Sequence, residues 1–373
     1  MKRRTVVVAG AAVIALAVTT AIIVLRPNPV PVTANASTAT AVLFERLLAQ
    51  RGEGILFGQH LAFDVHVTDE PDVFALVDDY PAVVGWDTRA LEGFEPPSSL
   101  ENVASGIQRA HSLGIVSELS AHMSNLSTGG DYSDRYGSVA AELLADTTQL
   151  DVYLDQVVRL AAMSVDGEGE LIPIIFRPFH EGNGDWFWWG TTETSTEQYV
   201  ALFRHTVAYL QDAGVTNLLY AWSPNGQFDG NESDYLEAYP GDDVVDIMGY
   251  DSYESDNSGD NSDLWIGAVT ADLAMVSRAA DGHGKIPAFT EFGRNGDRTI
   301  RDGGNRSLTF FTDLFASIDA NPDARRIAFM MTWANWDRGQ LYVPYPGHEM
   351  SDDFRRFHAL ENTVFARDWV APQ

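Results

Sequence analysis

The chain has 373 residues, a formal net charge of −29, no cysteine and two lysines. Without cysteine, the protein forms no disulfides and has no thiolate nucleophile or cysteine-ligated metal site. A surface this acidic repels phosphate backbones, which makes nucleic acid a poor partner. The length allows one large core, and a single α/β barrel domain is a common solution at this size.

The first 36 residues differ in composition from the rest of the chain. Three basic residues at positions 2–4 precede an uncharged stretch at residues 5–25, an order that is typical of an export signal. The stretch is also about as long as a bilayer-spanning helix of roughly 20 residues. Because residues 34–36 read Ala-Asn-Ala, an A-x-A cleavage pattern, we expect a secreted protein whose signal peptide is removed. The alternative is an uncleaved membrane anchor, with the domain at residues 37–373 outside the cell.

Short apolar runs alternate with helical patterns over the rest of the chain. We predict strands at residues 55–57, 82–86, 115–119, 172–176, 218–222, 244–248, 286–290 and 327–332. We predict helices at residues 40–50, 102–113, 147–163, 196–212, 264–280 and 307–318, with a short one near 233–239. Eight strands alternating with helices predict a single (β/α)8 barrel. A doubly wound open sheet is the competing fold, but Gly58-Gln59-His60 stands where that fold needs a Gly-rich phosphate loop.

In a (β/α)8 barrel, the residues that carry function follow the C-terminal ends of the strands. All eight predicted strand ends carry polar or aromatic groups: Gln59, His60, Asp87, His122, Arg177, His180, Glu181, Trp222, Asn225, Asp251, Tyr253, Glu291, Arg294, Trp333 and Asn335. A barrel with a purely structural role would not need them. No H-x-x-x-H or Glu-x-x-His spacing accompanies the histidines, so we expect no metal site.

Two glutamates stand at opposed strand ends of the predicted barrel. Glu181 ends strand 4 beside Trp186 and the Trp188-Trp189 pair, whose rings should desolvate the carboxyl and raise its pKa. Glu291 ends strand 7. A protonated acid paired with an ionised carboxylate is what glycoside hydrolysis needs.

The charge state of Glu291 and its distance from Glu181 decide the mechanism. We expect Arg177 and Tyr253 to donate hydrogen bonds to Glu291 and keep it ionised. A carboxyl separation of about 5–5.5 Å would make Glu291 a nucleophile with retention of configuration, whereas about 6.5–9.5 Å would imply inversion. We predict the shorter separation.

The motif around Glu181 resembles that of a known family. Residues 177–181 read Arg-Pro-Phe-His-Glu, and residues 184–190 read Gly-Asp-Trp-Phe-Trp-Trp-Gly. Together they resemble the acid/base signature of glycoside hydrolase family 26, which consists mainly of retaining endo-β-1,4-mannanases on (β/α)8 barrels. Residues 57–60, 84–87, 249–253 and 290–293 also match in place and order.

The resemblance implies a cofactor-free, retaining endo-glycosidase that cuts β-1,4-mannosidic bonds in mannan, glucomannan or galactomannan. It implies that Glu181 is the acid/base and Glu291 the nucleophile. It further implies that the central sugar subsite is lined by His122, Arg177, His180, Trp186, Asp251, Tyr253 and Trp333. We expect the protein to be a monomer.

Three alternatives remain open from the sequence. The same machinery could act on mixed-linkage β-glucan or xylan. An exo-acting mannobiohydrolase would need one end of the cleft closed, and the loops at residues 89–99, 124–136 and 251–263 are candidates for closing it. A non-enzymatic reading is a surface glycan-binding barrel, although the presence of both Glu181 and Glu291 argues against it.

Overall fold

The computed structural model describes residues 29–33, 35–254, 262–294, 300–305 and 307–369. Its parallel strands close into a barrel, because β1 pairs with both β2 and β8. The strands are β1 (Ile55–His60), β2 (Val83–Asp87), β3 (Val116–Ser120), β4 (Ile174–Arg177), β5 (Leu218–Trp222), β6 (Ile247–Glu254), β7 (Ile286–Arg294) and β8 (Phe329–Thr332). A two-residue strand, β9 (Thr363–Val364), pairs with the start of β1. The predicted barrel is confirmed.

Helices lie between most of the strands. They are α1 (Thr38–Gln50), α2 (Asp72–Val77), α3 (Thr88–Leu91), α4 (Leu100–Ser112), α5 (Val139–Ala145), α6 (Thr148–Met163), α7 (Thr196–Asp212), α8 (Glu232–Tyr235), α9 (Ser262–His283), α10 (Phe310–Ala320) and α11 (Ser351–His358). Among the described residues, no helix combines the length and apolar character needed to cross a membrane. The predicted export signal at residues 5–25 lies outside the described residues.

The lower part of the barrel interior is apolar. Successive residues of a strand point to opposite faces, so alternate positions of each strand face inward. The inward positions near the strand starts are occupied by Leu56, Val83, Val116, Ile175, Leu219, Ile247, Ile286 and Phe329. Leu43, Phe44 and Leu47 of α1 pack against this layer, so α1 closes the N-terminal end of the barrel.

Higher in the barrel, the same inward-facing rows become polar. They carry Glu118 and Ser120 on β3, Arg177 on β4, Ser223 directly after β5 and Asp251 on β6, and none of these side chains is exposed. Buried charges of this kind must be paired, and they are, as described below. The barrel therefore holds an ionic layer directly beneath its mouth.

Glycine makes room for this layer. A Cβ on Gly85 would lie 2.6 Å from the ring of His60, and one on Gly58 would lie 2.9 Å from the side chain of Met331. At such distances the neighbouring side chain would have to move to admit a Cβ. His60 can therefore enter the barrel interior, where its ring stacks under Trp333 at 4.2 Å between centroids.

An irregularity in β7 determines where Glu291 points. The pairing register between β6 and β7 shifts by one residue, so that Asp251 lies opposite Glu291 and Thr290 is an extra residue in β7. Strict alternation from Ile286 would place position 291 outside the barrel. A bulge re-aims the side chains that follow it, and Glu291 therefore turns into the mouth.

Candidate active site

A cavity of about 590 Å³ opens at the C-terminal ends of the strands. It is lined by His122, Tyr132, His180, Glu181, Trp186, Phe187, Asn225, Gly226, Gln227, Tyr253, Glu291, Trp333 and Tyr342. A second cavity, of about 350 Å³, shares His122, Tyr132, Trp333 and Tyr342 with the first and adds Glu95, Trp336 and Gln340. The two cavities therefore form one cleft, with Glu181 and Glu291 in its larger part.

Glu181 is held in an unusual backbone conformation. Its φ is +52°, and that of Phe179 is +51°, in the left-handed region that costs a non-glycine residue of the order of 1 kcal/mol or more. The backbone N–H of Glu181 donates to the carbonyl of Ser223 at 2.7 Å. The hydroxyl of Tyr199 donates to the carbonyl of Phe179 at 2.8 Å. These bonds fix the turn that lifts the carboxyl of Glu181 into the cavity.

The carboxyl of Glu181 is suited to carry a proton near neutral pH. Burial, reinforced by the negative charge of Glu291, raises its pKa from 4.5 to about 7. Asn225 Nδ2 and Trp186 Nε1 each donate to one carboxyl oxygen at 2.7 Å and oppose this rise in pKa without cancelling it. The sequence-based prediction of a raised pKa is confirmed.

Glu291 is tuned in the opposite direction. Burial alone would raise its pKa, but the charge of Arg177 outweighs this effect and holds the pKa below its usual value. Arg177 Nη2 donates to Glu291 Oε1, and the hydroxyl of Tyr253 donates to Oε2 at 2.7 Å. Both donors predicted from the sequence are confirmed. Glu291 is thus an ionised carboxylate in the same cavity as Glu181, whose raised pKa lets it hold a proton near neutral pH.

Arg177 and Asp251, which the resemblance places in the sugar subsite, lie in the barrel interior beneath the cavity. Neither side chain is exposed, and neither lines the cavity. Arg177 Nη1 donates to Asp251 Oδ2 at 3.0 Å and Nε donates to Glu118 Oε1 at 2.9 Å, while Nη2 reaches Glu291. Both residues face inward below the strand ends, so they support Glu291 from beneath and do not form the cavity wall.

A chain of hydrogen bonds orders the two histidines at the cavity wall. Asp87 Oδ2 lies 2.6 Å from His122 Nδ1, and His122 Nε2 lies 3.1 Å from His180 Nε2. Burial alone would lower the pKa of His122, but Asp87 outweighs it and the pKa is raised. Burial and the charge of Arg177 hold the pKa of His180 well below its usual value. The opposite pKa shifts make His122 the more basic of the two rings, and His122 Nε2 and His180 Nε2 share one hydrogen bond.

A family model for glycosyl hydrolase family 26 matches residues 32–295. The chain belongs to glycosyl hydrolase family 26. It is 42% identical over 358 residues to the mannan endo-1,4-beta-mannosidase of Bifidobacterium adolescentis, an alignment that covers 90% of this chain and 35% of that protein. A Bacillus subtilis protein of the same name is 28% identical over 38% of this chain and 41% of its own length. The chain thus spans well under two thirds of these two curated relatives.

Solved structures of family 26 proteins have the same fold. The modular endo-beta-1,4-mannanase from Cellulomonas fimi superposes with a TM-score of 0.87 at 40% identity, covering 92% of this chain and 79% of that one. The catalytic domain of the Bacillus sp. JAMB-750 GH26 endo-beta-1,4-mannanase gives 0.88 at 39% identity, covering 92% and 95%.

Of the three tryptophans in the family 26 motif, Trp186 is the one whose indole N–H donates to the carboxyl of Glu181. Trp186 is 40% exposed, whereas Trp188 and Trp189 are fully buried. Trp188 Nε1 donates to the carbonyl of Met123 and Trp189 Nε1 to that of His180, so both indoles anchor loops. The pair belongs to the core that supports the motif.

His122, His180, Trp186, Tyr253 and Trp333 all line the family 26 cavity, as expected for sugar-contacting residues. Their substrate-binding role stays a prediction, as does the separation of the two carboxyls. His180 Nδ1 is buried without a hydrogen-bond partner among the described residues.

Sequence reasoning missed several residues of the site. Tyr132 and Tyr342 line the cavity from loops, where no strand-end rule points to them. Glu118 could have been found, because a carboxylate inside the apolar run 115–119 signals a buried ionic partner. Asn225 was singled out as a strand-end residue, but its bond to Glu181 was not foreseen. In the described part of the chain, no group of three or more His, Cys, Asp or Glu side chains is arranged to hold a metal ion.

Proposed function

We propose that this protein is a retaining endo-β-1,4-mannanase, with Glu181 as acid/base and Glu291 as nucleophile. The observation that carries the proposal is the opposite tuning of two carboxyls in one cavity. Glu181 can hold a proton near neutrality because it is buried beside another carboxylate, whereas Arg177 keeps Glu291 ionised and Tyr253 donates a hydrogen bond to it. This is the pair of states that the first step of glycoside hydrolysis requires.

In the first step, Glu181 gives its proton to the glycosidic oxygen while Glu291 attacks the anomeric carbon. The bond between that carbon and the leaving oxygen breaks, and a glycosyl ester forms on Glu291. Forming the ester removes the negative charge of Glu291, which is one of the two causes that raise the pKa of Glu181. Glu181 can then stay ionised and accept a proton from the water that hydrolyses the ester.

The names of the relatives support mannan as the substrate. All four proteins compared above are named as endo-acting on β-1,4-mannan, and three of them cover most of this chain. The cleft supports endo action, because the second cavity extends it beyond the two glutamates. The alternative polymer has weaker support: a relative from Acetivibrio thermocellus named Endoglucanase H is 32% identical over 39% of this chain.

Product analysis tests the proposal. The protein is incubated with mannan, lichenan and xylan, and the products are separated by size over time. We expect mannan to be shortened internally, with mixed oligosaccharides appearing early. Release of mannobiose alone would show exo action, and preference for lichenan would overturn the substrate. Proton NMR of the first-formed anomer must show retention, because inversion would exclude Glu291 as a nucleophile.

Two variants test the assigned roles. Glu291→Ala should lose activity by several orders of magnitude while keeping its fold, and near-normal activity would remove the mechanism. Glu181→Ala should lose activity on mannan but keep it on substrates with good leaving groups, because their departure needs no acid. If leaving-group quality makes no difference to this variant, Glu181 is not the acid.

We also propose that the chain is exported and that its barrel acts outside the cell as a monomer. One structural feature bears on whether residues 1–36 are removed. Val32 N donates to Asp246 Oδ1 at 2.8 Å, and the hydroxyl of Thr33 donates to the carbonyl of Leu218 at 2.5 Å. Cleavage after Ala36 would remove both contacts, whereas an uncleaved anchor keeps them. N-terminal sequencing of the exported protein decides between the two forms, and sedimentation tests the monomer.

A further inference from the structure

Asn225 is clamped from two sides in the loop after β5. Asn183 uses both ends of its side-chain amide on the backbone of Asn225: its Nδ2 donates to the Asn225 carbonyl at 2.6 Å, and its Oδ1 accepts from the Asn225 N–H at 2.8 Å. On the other side, Asn225 forms a parallel bridge with Asp251 of β6, where Gly226 N donates to the Asp251 carbonyl at 2.8 Å. The segment around Asn225 is therefore fixed between the loop that follows β4 and strand β6.

The clamp aims the side chain of Asn225 at one oxygen of Glu181. Its Nδ2 donates to Oε1 at 2.7 Å. The other oxygen, Oε2, accepts from Trp186 Nε1 at 2.7 Å. The two donors differ in freedom, because Trp186 is 40% exposed at the cavity wall whereas the backbone of Asn225 is bonded on both sides. When substrate enters, the Trp186 bond is the one that can break.

We propose that Asn225, clamped by Asn183, commits Oε1 of Glu181 as an acceptor and so makes Oε2 the oxygen that delivers and recovers the catalytic proton. This rests on the proposed function and deepens it, because it assigns the acid/base role to one atom. Asn225 acts through Glu181 and is a positioning residue.

The proton balance follows from this assignment. In the first step, the Oε2–H bond breaks as the proton moves to the glycosidic oxygen, which keeps the electron pair of the broken bond to carbon. Oε1 stays bonded to Asn225 throughout, so the new carboxylate keeps its orientation. In the second step, Oε2 accepts a proton from the attacking water, and Glu181 returns to its starting state.

Asn225 affects the pKa of Glu181 separately from the charged groups around it. The charged and titratable groups that face Glu181 are Glu291 from β7, Arg177 from β4, and Asp251 and Tyr253 from β6. None of them is an amide donor fixed on one oxygen. Removing Asn225 therefore removes a bond that favours the ionised form, and no neighbouring charge changes.

The test uses Asn225→Ala in the full chain, with Asn231→Ala as the matched control. Asn231 lies in the same loop and caps α8 through Ser233, without contact to Glu181. The first readout is the titration of Glu181, followed by NMR on protein labelled with 13C at the glutamate carboxyls and assigned by Glu181→Gln. We expect Asn225→Ala to raise the midpoint by about one pH unit, because one charge-assisted bond is lost.

The second readout is hydrolysis of aryl β-mannobiosides whose phenols differ in acidity. With poor leaving groups, we expect kcat/KM of Asn225→Ala to fall about tenfold to a hundredfold, because the proton is no longer aimed from Oε2. With the best leaving group it should stay close to the wild-type value. Asn183→Ala keeps the side-chain amide of Asn225 but removes the two bonds that hold the Asn225 backbone. It should therefore change both readouts in the same direction as Asn225→Ala, but by less. Asn231→Ala should leave both unchanged.

An equal loss on all leaving groups, together with an unshifted Glu181 titration, would overturn the proposal and leave Asn225 a merely structural role. If Asn225→Ala fails to fold, the near-isosteric Asn225→Asp replaces the donor by a carboxylate. Asn225→Asp must then raise the midpoint of the Glu181 titration by more than is expected for Asn225→Ala, and an unshifted midpoint refutes the proposal. If the wild-type protein cleaves no β-mannoside, the proposed function fails, and the NMR midpoints alone still decide the role of Asn225.

Discussion

Tyr253→Phe removes a single hydroxyl from the cavity and tests how Glu291 is kept ionised. The hydroxyl donates to Glu291 Oε2 at 2.7 Å, while Arg177 remains bonded to Oε1. A hydrogen bond to a charged group contributes about 1.5–3 kcal/mol. One pKa unit corresponds to about 1.4 kcal/mol, so the pKa of Glu291 should rise by about one to two units.

The sign of the effect fixes which limb of the pH profile moves. A donor that favours the anion lowers the pKa, so its loss raises the pKa and shifts the acid limb of kcat/KM toward higher pH. The alkaline limb should stay in place, because it reports Glu181. The assay is kcat/KM on a soluble mannan-oligosaccharide across the pH range, with folding checked by circular dichroism at each pH.

Tyr239→Phe provides the matched control. Its hydroxyl donates to Asp242 at 2.9 Å, the same kind of bond to a carboxylate, in a loop that does not contribute to the cavity. This variant should reproduce the wild-type profile. If the acid limb of Tyr253→Phe also superimposes on that of the wild type, the hydroxyl does not tune Glu291 and the electrostatic account is refuted.

Three further predictions concern stability. Glu181→Gln should become more stable relative to wild type as pH rises from 5 to 8, by about 2.5 kcal/mol. The pKa of Glu181 is raised from 4.5 to about 7, so the wild-type native state binds this proton more tightly than the unfolded state and loses stability as Glu181 ionises. Arg177→Met should lose about 3–5 kcal/mol, since buried carboxylates lose their shared cation. Gly85→Ala should cost about 1–3 kcal/mol, because a Cβ would lie 2.6 Å from the His60 ring.

The free energy of unfolding of each variant is measured by chemical denaturation, and for each variant one result would refute the prediction. Parallel stability curves for Glu181→Gln and wild type would mean that the raised pKa is absent. A stable Arg177→Met would show that the carboxylates around it are already neutral. Gly267→Ala is the control for Gly85→Ala, because a Cβ there meets nothing within 4 Å on an exposed face of α9. Equal effects of the two glycine substitutions would exclude a clash with His60.

Secondary structure was predictable where local signals agree. The predicted bounds of α7 and β5 match those observed. The helix begins at a capping box in which Ser195 and Gln198 satisfy each other's backbone donors, which is a pattern legible in sequence. The predicted start of β4, position 172, is wrong by two residues. The strand begins at Ile174, because Pro173 lacks the N–H that a strand ladder needs.

The upper ends of β6 and β7 could not be predicted from hydrophobicity. Both strands continue past the predicted ends, to Glu254 and Arg294, and carry Asp251 and Glu291 inside the sheet. A strand that is predicted from an apolar run ends at the first polar residue, so the prediction stops too early here. In the folded barrel they are tolerated because Arg177, Ser223, Thr290 and other donors reach them across the interior.

The sequence by itself determined the barrel, the family and the two glutamates, because apolar alternation and a contiguous motif are properties of neighbours along the chain. The sequence also predicted that the pKa values of the two glutamates shift in opposite directions, but only the tertiary structure decided which contacts produce the shifts. The bond from Arg177 to Glu291 joins residues 114 positions apart, and that from Asn225 to Glu181 joins residues 44 apart. The extra residue in β7 turns Glu291 inward against the alternation of its own strand. A carboxyl's pKa depends on burial and on the donors that surround it, and those are set by which strands become neighbours when the barrel closes.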